Sequence, residues 1–240
     1  MEIKKLSVII PAYKNERTIK SQILEITKIL DTREEKYEII IVVDGAMDKT
    51  FEKAKTVKNK NVKVYQLEKN RGKGYAFKYG FLKSTGEIIL LFDGGNDINP
   101  NGIPLILEHF IWYKADIVIG SKLHSASVVN YPAIRRLSSF IYYLLVKILF
   151  RLKVRDTQTG FKLYKREVLQ KVIPKMKIDR FAFDIELLAL AQKYDFTRIY
   201  EAPVEVNIDF NKSSSIQLFS SRVVWGILFD TFAVWVRLRK

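Results

Sequence analysis

The chain has 240 residues, 48% of them hydrophobic, no cysteine, and a net charge of +15 from 41 Lys and Arg against 26 Asp and Glu. These numbers suit one domain with at most a small appendage, and they exclude a disulfide framework, a thiolate metal site and a thiol nucleophile. The basic surplus favours polyanions such as anionic lipid or phosphorylated substrates, but no helix-turn-helix, zinc-finger or RNA-binding pattern accompanies it, so no nucleic-acid partner is expected.

Leu6–Ala12 reads as a strand, entered so early that no cleavable signal segment is expected. A helix follows from about Asn15 to Leu30, with Ile19, Ile23, Ile26 and Leu30 on one face. Glu38–Val43 is a second strand, ending at Asp44-Gly45, and Asp48 can cap a short helix after it. Val62–Leu67 alternates as a third strand, and Gly72-Lys-Gly74 opens a helix that runs to about Lys83. Gly86 stops that helix. Glu87–Phe92 is too short for a typical helix and its apolar run is unbroken, so it reads as a strand buried on both faces, in the middle of a parallel sheet. Four strands alternating with three helices over 92 residues are the signature of βαβ units.

The regularity then weakens. A helix begins at Asn99 or Asn101 and reaches about Tyr113, followed by a strand at Ala115–Ile119 and a loop from Gly120 to Pro132. Ile134–Leu152 is a helix, Phe161–Tyr164 a short strand, Arg166–Val172 a short helix and Phe183–Tyr194 a stronger one. Arg198–Tyr200 and Val204–Ile208 read as strands, and the last helix runs from about Ile216 to Leu238.

Asp93 stands at the carboxyl end of the central strand, where open α/β sheets bind ligands. Asp97 follows across Gly94 and Gly95. Two carboxylates on such a loop can hold a hard divalent cation, and through it a diphosphate; the same residues also suit a plain turn. Two helices raise the question of a membrane. Between Arg222 and Arg237 lie 14 mostly apolar residues interrupted by Asp230, fewer than the roughly 20 that a span needs. Ile134–Leu152 carries Lys147 and two serines. Both suit helices lying in the interface plane, with Tyr142, Tyr143, Trp225 and Trp235 at headgroup depth and basic residues toward anionic lipid.

Val8-Ile-Ile-Pro-Ala-Tyr13, Val42-Val-Asp-Gly-Ala-Met-Asp-Lys-Thr50, Asn70-Arg-Gly-Lys-Gly74 and Leu91-Phe-Asp-Gly94 resemble, in order and spacing, the inverting nucleotide-sugar transferases of family 2. Asp156-Thr-Gln-Thr-Gly-Phe-Lys162 and Phe183-Asp-Ile-Glu-Leu-Leu188 are similar to segments of the dolichyl-phosphate hexose synthases within it. The resemblance implies an α/β chain of the GT-A type (the nucleotide-diphospho-sugar transferase fold). Its mostly parallel sheet would be flanked by helices, with amphipathic helices at a membrane interface. It also implies a transferase domain over residues 1–215, including the interfacial helix at about 134–152, and a membrane-associated helix over 216–240.

The implied reaction moves a hexose, with inversion, from GDP-mannose or UDP-glucose to dolichyl or polyprenyl phosphate at the cytoplasmic face of a membrane, with Mg²⁺ or Mn²⁺. Pro11, Ala12, Tyr13, Val42, Asp44, Lys73 and Asp93 would bind the donor, and Lys212 would close over its diphosphate. Glu16 would join the donor site, although Lys14 displaces the acidic residue usual after the Tyr, so that Glu16 arrives one place late or Asn15 substitutes. Gly95 stands where the family has its second Asp, which leaves Asp93 and Asp97 as the metal pair. Lys122, Arg135 and Arg136 would hold the acceptor phosphate, Lys122 standing where Arg is more usual; Lys122 and Arg136, with Asp93 and Asp97, form the expected catalytic set. Gln158, Thr159, Asp184 and Glu186 would serve the sugar or acceptor pocket; of the last two, one can face the site while the other pairs structurally, because they do not share a helix face. Two other readings stay open: a soluble or polysaccharide acceptor, and a non-catalytic nucleotide-sugar-binding protein.

Overall fold

A computed structural model describes residues 3–95, 97–130, 133–207 and 221–239, with the side chains of 133–139, 207 and 221–223 excepted. Arg135 and Arg136 therefore lie in a described helix without described side chains, and Lys212 lies outside the described residues.

The first half follows the hydrophobic pattern. Strands β1 (Lys5–Ala12), β2 (Lys36–Val43), β3 (Val62–Gln66) and β4 (Ile88–Phe92) alternate with helices α1 (Ile19–Leu30), α2 (Thr50–Lys55) and α3 (Lys73–Lys83). Then come α4 (Ile103–Trp112), β5 (Ile117–Ser121), β6 (Val128–Asn130), α5 (Ala133–Phe150), β7 (Phe161–Lys165), α6 (Arg166–Val172), α7 (Phe183–Lys193), β8 (Ile199–Pro203), β9 (Glu205–Asn207) and α8 (Ser221–Arg239). Seven strands form one sheet in the order β3-β2-β1-β4-β7-β5-β8, and β6 pairs with β9 in a small second sheet.

Three expectations change. β7 runs antiparallel between β4 and β5, so β4 has a parallel neighbour on one side only. An apolar run records burial and not direction, and β7 takes its direction from where α5 delivers the chain. The span from Gly120 to Pro132 is not all loop, since it contains β6, a three-residue strand too short to show a period. The first helix begins at Ile19 instead of Asn15, because Asn15 is spent on a turn: its carbonyl accepts from Thr18 N and Ile19 N, and its Oδ1 from Tyr13 N at 2.7 Å.

Alternation along the central strands feeds two cores. Val8 and Ile10 of β1 and Leu90 and Phe92 of β4 face α1 and α4, packing on Ile19, Ile23, Ile106 and Phe110. Ile9, Ile89 and Leu91 face the other way, onto Phe77 of α3 and Phe183 and Leu187 of α7. Each fully buried aliphatic side chain contributes about 1.5–3 kcal/mol relative to exposure. The chain leaves β1 for β2 and β3 on one side, then returns to β4 on the other. That reversal opens a crevice at the carboxyl ends of β1 and β4.

At the opposite end of the sheet one carboxylate ties four segments together. Buried Glu38 accepts from Ser7 Oγ at 2.9 Å, Thr85 N at 2.6 Å and Thr85 Oγ1 at 2.9 Å, and pairs with Lys63 Nζ at 3.0 Å. Burial pushes its pKa up, but the donors from Thr85, Lys63 and Ser7 outweigh that and bring it from 4.5 to about 2. A folded value below the unfolded one means that this stabilisation is complete above about pH 4.5 and is lost as pH falls toward 2. Glu38→Gln is expected to lower stability at neutral pH by about 1–3 kcal/mol, and the gap from wild type should close on acidification. Thermal unfolding by circular dichroism between roughly pH 2 and pH 7 checks both; a variant as stable as wild type at pH 7 refutes the assignment.

Candidate active site

Asp93 follows β4 directly, and its backbone is held from two sides. Its N–H donates to Gly160 O at 2.8 Å, and its carbonyl accepts from Gln22 Nε2 at 2.8 Å. Its carboxylate rests on Gly160 so closely that a Cβ there would lie 1.8 Å from Asp93 Cγ. Only glycine leaves that space. Asp93 Oδ1 is 2.6 Å from Lys73 Nζ.

Lys73 is delivered by the loop before α3. Asp44, 3% exposed, accepts from Arg71 N at 2.7 Å and Gly72 N at 2.8 Å, one with each oxygen. Gly72 has φ +103°, and a Cβ there would strike Asp179 O at 2.4 Å, so the turn requires glycine. Asp44 thus acts as the clamp of this loop. Burial and the charge of Lys122 push Lys73 down, yet Asp93 and Asp184 outweigh them, and the ammonium stays above the usual lysine range.

Beneath this pair lies a second one. Lys162, fully buried on β7, donates to Thr159 O and pairs with Asp184 of α7. Burial pushes Lys162 below the usual lysine range and Asp184 above the usual carboxylate range, while their mutual attraction opposes both shifts. Two cations and two carboxylates therefore share the floor of the crevice.

Asp156 shapes the neighbouring loop. Its Oδ1 accepts from Gln158 N at 3.2 Å and Thr159 N at 3.1 Å; its Oδ2 accepts from Lys122 N at 2.9 Å and lies 3.6 Å from Lys122 Nζ. Lys122, Tyr142, Tyr143, Arg155, Thr157 and Gln158 line a pocket against α5. The turn from Arg155 to Gly160 runs from this pocket to Asp93.

Crevice and pocket thus gather Tyr13, Asp93, Lys73, Lys122 and Gln158. Pro11 and Ala12 end β1 beside Gly94, where a Cβ would meet Pro11 O at 2.9 Å. Asp97 Oδ2 passes within 3.8 Å of the Cβ position of Gly95. Others are placed elsewhere. Val42 is core, packed with Ile40, Leu67 and Ala76, because it lies on the strand face turned toward α3. Glu186 is fully buried and accepts from Lys177 N at 2.8 Å and Ile178 N at 2.7 Å while pairing with Arg237 of α8, so its carboxylate braces neighbouring segments. Thr159 is buried too, and its Oγ1 has no hydrogen-bond partner among the described residues. Glu16 accepts from Lys49 N at 3.1 Å and donates its N–H to Asp48, bracing two loops together. Lys14 absorbs the extra residue before it with φ +54°.

The model of glycosyl transferase family 2 matches residues 7–173. The chain belongs to glycosyl transferase family 2. Its relatives include a dolichyl-phosphate beta-glucosyltransferase of Dictyostelium discoideum, 34% identical over 91% of this chain and 70% of the relative. The human protein of the same name is 32% identical over 93% of this chain and 73% of its own length. Among solved structures, glucosyl-3-phosphoglycerate synthase from Mycobacterium tuberculosis, in complex with Mn²⁺, uridine diphosphate and phosphoglyceric acid, superposes with a TM-score of 0.71 at 20% identity. That match covers 95% of this chain and 78% of the other. The fold of this family 2 glycosyltransferase is thus of the GT-A type, and the chain is a hexosyltransferase.

Sequence reasoning missed the parts of the glycosyltransferase site that act through backbone or through buried charge. Gln22 reads as one polar residue on a helix, and its partner is 71 positions away. Lys162 reads as a surface lysine on a short strand. The one legible signal was the run Asp156–Gly160, whose Asp and Gly mark a constrained turn.

Gly160→Ala is expected to displace Asp93 by about an ångström and to cost at least about a hundredfold in sugar transfer. The cores do not depend on this contact, so the circular dichroism spectrum should be that of wild type. A fully active Gly160→Ala enzyme refutes the placement of Asp93.

Proposed function

We propose that this glycosyltransferase moves glucose from UDP-glucose to dolichyl phosphate, with inversion at the anomeric carbon. The observation that carries this reading is the polar turn from Arg155 to Gly160, which joins a cation-lined pocket to Asp93 and Lys73. A donor diphosphate fits the Asp93–Lys73 end, and an acceptor phosphate fits the Lys122 end. The glucosyl names of both relatives favour UDP-glucose over GDP-mannose, and the uridine diphosphate held by the structural neighbour agrees with that.

A phosphate monoester has a second pKa near 6, so at neutral pH it is largely a dianion and a ready nucleophile. One of its oxygens attacks the anomeric carbon, and the bond from that carbon to the diphosphate breaks. UDP leaves with the electron pair, and no proton has to be removed. The chain's part is to hold both anions in line, with Lys122 on the acceptor and Lys73 beside the leaving group.

Asp93 and Asp97 supply hard oxygen ligands. A Mg²⁺- or Mn²⁺-type ion needs only one or two carboxylates when phosphate oxygens and water complete its shell. Such an ion would offset charge on the departing diphosphate.

The lipid end of the acceptor suits the outer faces of α5 and α8. Among the described residues no helix is long and apolar enough to cross a membrane. Yet Ile148 on α5 is 75% exposed, and on α8 Trp225 is 70% and Phe229 75% exposed. These helices would lie in the headgroup region, on the cytoplasmic face, with the basic surplus toward anionic lipid.

Transfer from radiolabelled UDP-glucose, and separately GDP-mannose, to dolichyl phosphate in liposomes tests the reading. Glucosyl lipid is expected, abolished by EDTA and by Asp93→Ala. Mannosyl lipid alone would overturn the donor assignment; tight UDP-glucose binding without any lipid product would favour another acceptor or a non-catalytic binder. The membrane faces have their own test. The double variant Trp225→Ser and Phe229→Ser should bind anionic vesicles at least about tenfold more weakly in flotation, and unchanged flotation argues against α8 as the docking face.

A further inference from the structure

We infer that Arg155 is a further cation of the acceptor-phosphate subsite, a forked donor that orients the phosphate which Lys122 attracts; this rests on the reading of the pocket given above. Three observations carry it. Arg155 and Lys122 line one pocket together with Gln158 and with Tyr142 and Tyr143 of α5. The Arg155 guanidinium has no hydrogen bond or ion pair among the described residues, although acidic residues hold the backbone around it. That backbone is rigidly kept: Arg155 N and Asp156 N both donate to Glu201 Oε1 at 3.0 Å, and Asp156 in turn holds Lys122 N at 2.9 Å.

One carboxylate pair thus sets the spacing of the two backbone segments that carry these cations before any ligand arrives. An ordinary surface arginine is not held in this way. A lysine is a point charge and leaves a phosphate free to rotate, whereas a guanidinium offers two parallel N–H donors to two phosphate oxygens and fixes which oxygen remains outside. The remaining oxygen is the one that must face the anomeric carbon. Asp156, buried and accepting three backbone N–H groups, also pairs with Lys122 Nζ at 3.6 Å and offsets part of that lysine's charge, which leaves a phosphate dianion more dependent on Arg155. The tyrosines and the exposed apolar face of α5 suit a phosphate that carries a hydrocarbon tail.

The test compares Arg155→Gln and Arg155→Lys with wild type on two acceptors, dolichyl phosphate in liposomes and water-soluble citronellyl phosphate. Loss of a charged hydrogen bond should raise KM for both acceptors by about tenfold to a hundredfold. KM for UDP-glucose and the thermal midpoint should stay at wild-type values, since Arg155 is exposed and lies away from the donor. Arg155→Lys should recover only part of the loss, because charge returns without the fork. Unchanged KM for citronellyl phosphate overturns the proposal. A change with liposomes alone also overturns it, since Arg155 would then be reading the membrane and not the acceptor phosphate. If wild type transfers no glucose, the functional reading fails, but the subsite is still tested by calorimetry of citronellyl phosphate binding: equal affinity in wild type and Arg155→Gln, or no binding to wild type, overturns it.

Discussion

A lysine with no access to water can keep its charge only if a carboxylate shares its site. Lys162 is such a residue, and Asp184 is its partner. The rest of the crevice is stacked on this pair. Lys162 also binds the carbonyl of Thr159, which sets the course of the chain into Gly160, and Gly160 is the surface on which Asp93 rests. Asp93 then meets Lys73, whose loop Asp44 holds by two backbone N–H groups. Lys162 thus lies against Asp184 and Lys73 against Asp93. Removing Asp184 or Lys162 alone would leave an uncompensated charge in a poorly solvated place.

This arrangement explains why β7 runs against its neighbours. Its first residues must bring Gly160 up to the end of β4 and put Lys162 next to α7. An antiparallel strand inserted between β4 and β5 does both, and it pairs Phe92 with Phe161 in the core beneath the crevice. The departure from a purely parallel sheet thus belongs to the site as much as to the fold.

Helix α7 links the site to the periphery. Asp184 faces the buried charges, and Glu186, two residues on, holds the segment at Lys177–Ile178 and pairs with Arg237 of α8. Tyr142 of α5 bonds Thr231 of α8 at 2.8 Å, so the two helices with exposed apolar faces are joined to each other as well as to α7. The surface proposed to meet lipid and the floor of the crevice share one helix.

Much of this was determined by the sequence alone. Unbroken apolar runs ending in Asp44 and Asp93 declared buried strands with carboxylates at their carboxyl ends, because a strand covered on both faces needs no alternation and a charge cannot continue it. The spacing of Ile19, Ile23, Ile26 and Leu30 declared the face of α1. The ordered motifs declared the family. What only the tertiary structure decided are the relations that carry no local period. The direction of β7, the existence of β6, the contact of Gln22 with Asp93 and the pairing of Lys162 with Asp184 all join residues far apart in the chain. Local preference says which residues are buried or turned; it does not say which charge will neutralise which. Val42 and Glu186 show the same limit from the other side. Each stands within a motif, yet the pleat of β2 turns one into the core, and the pitch of α7 turns the other away from the crevice toward Arg237. Burial has to be balanced charge by charge in three dimensions, and that balance exists only once the chain has folded.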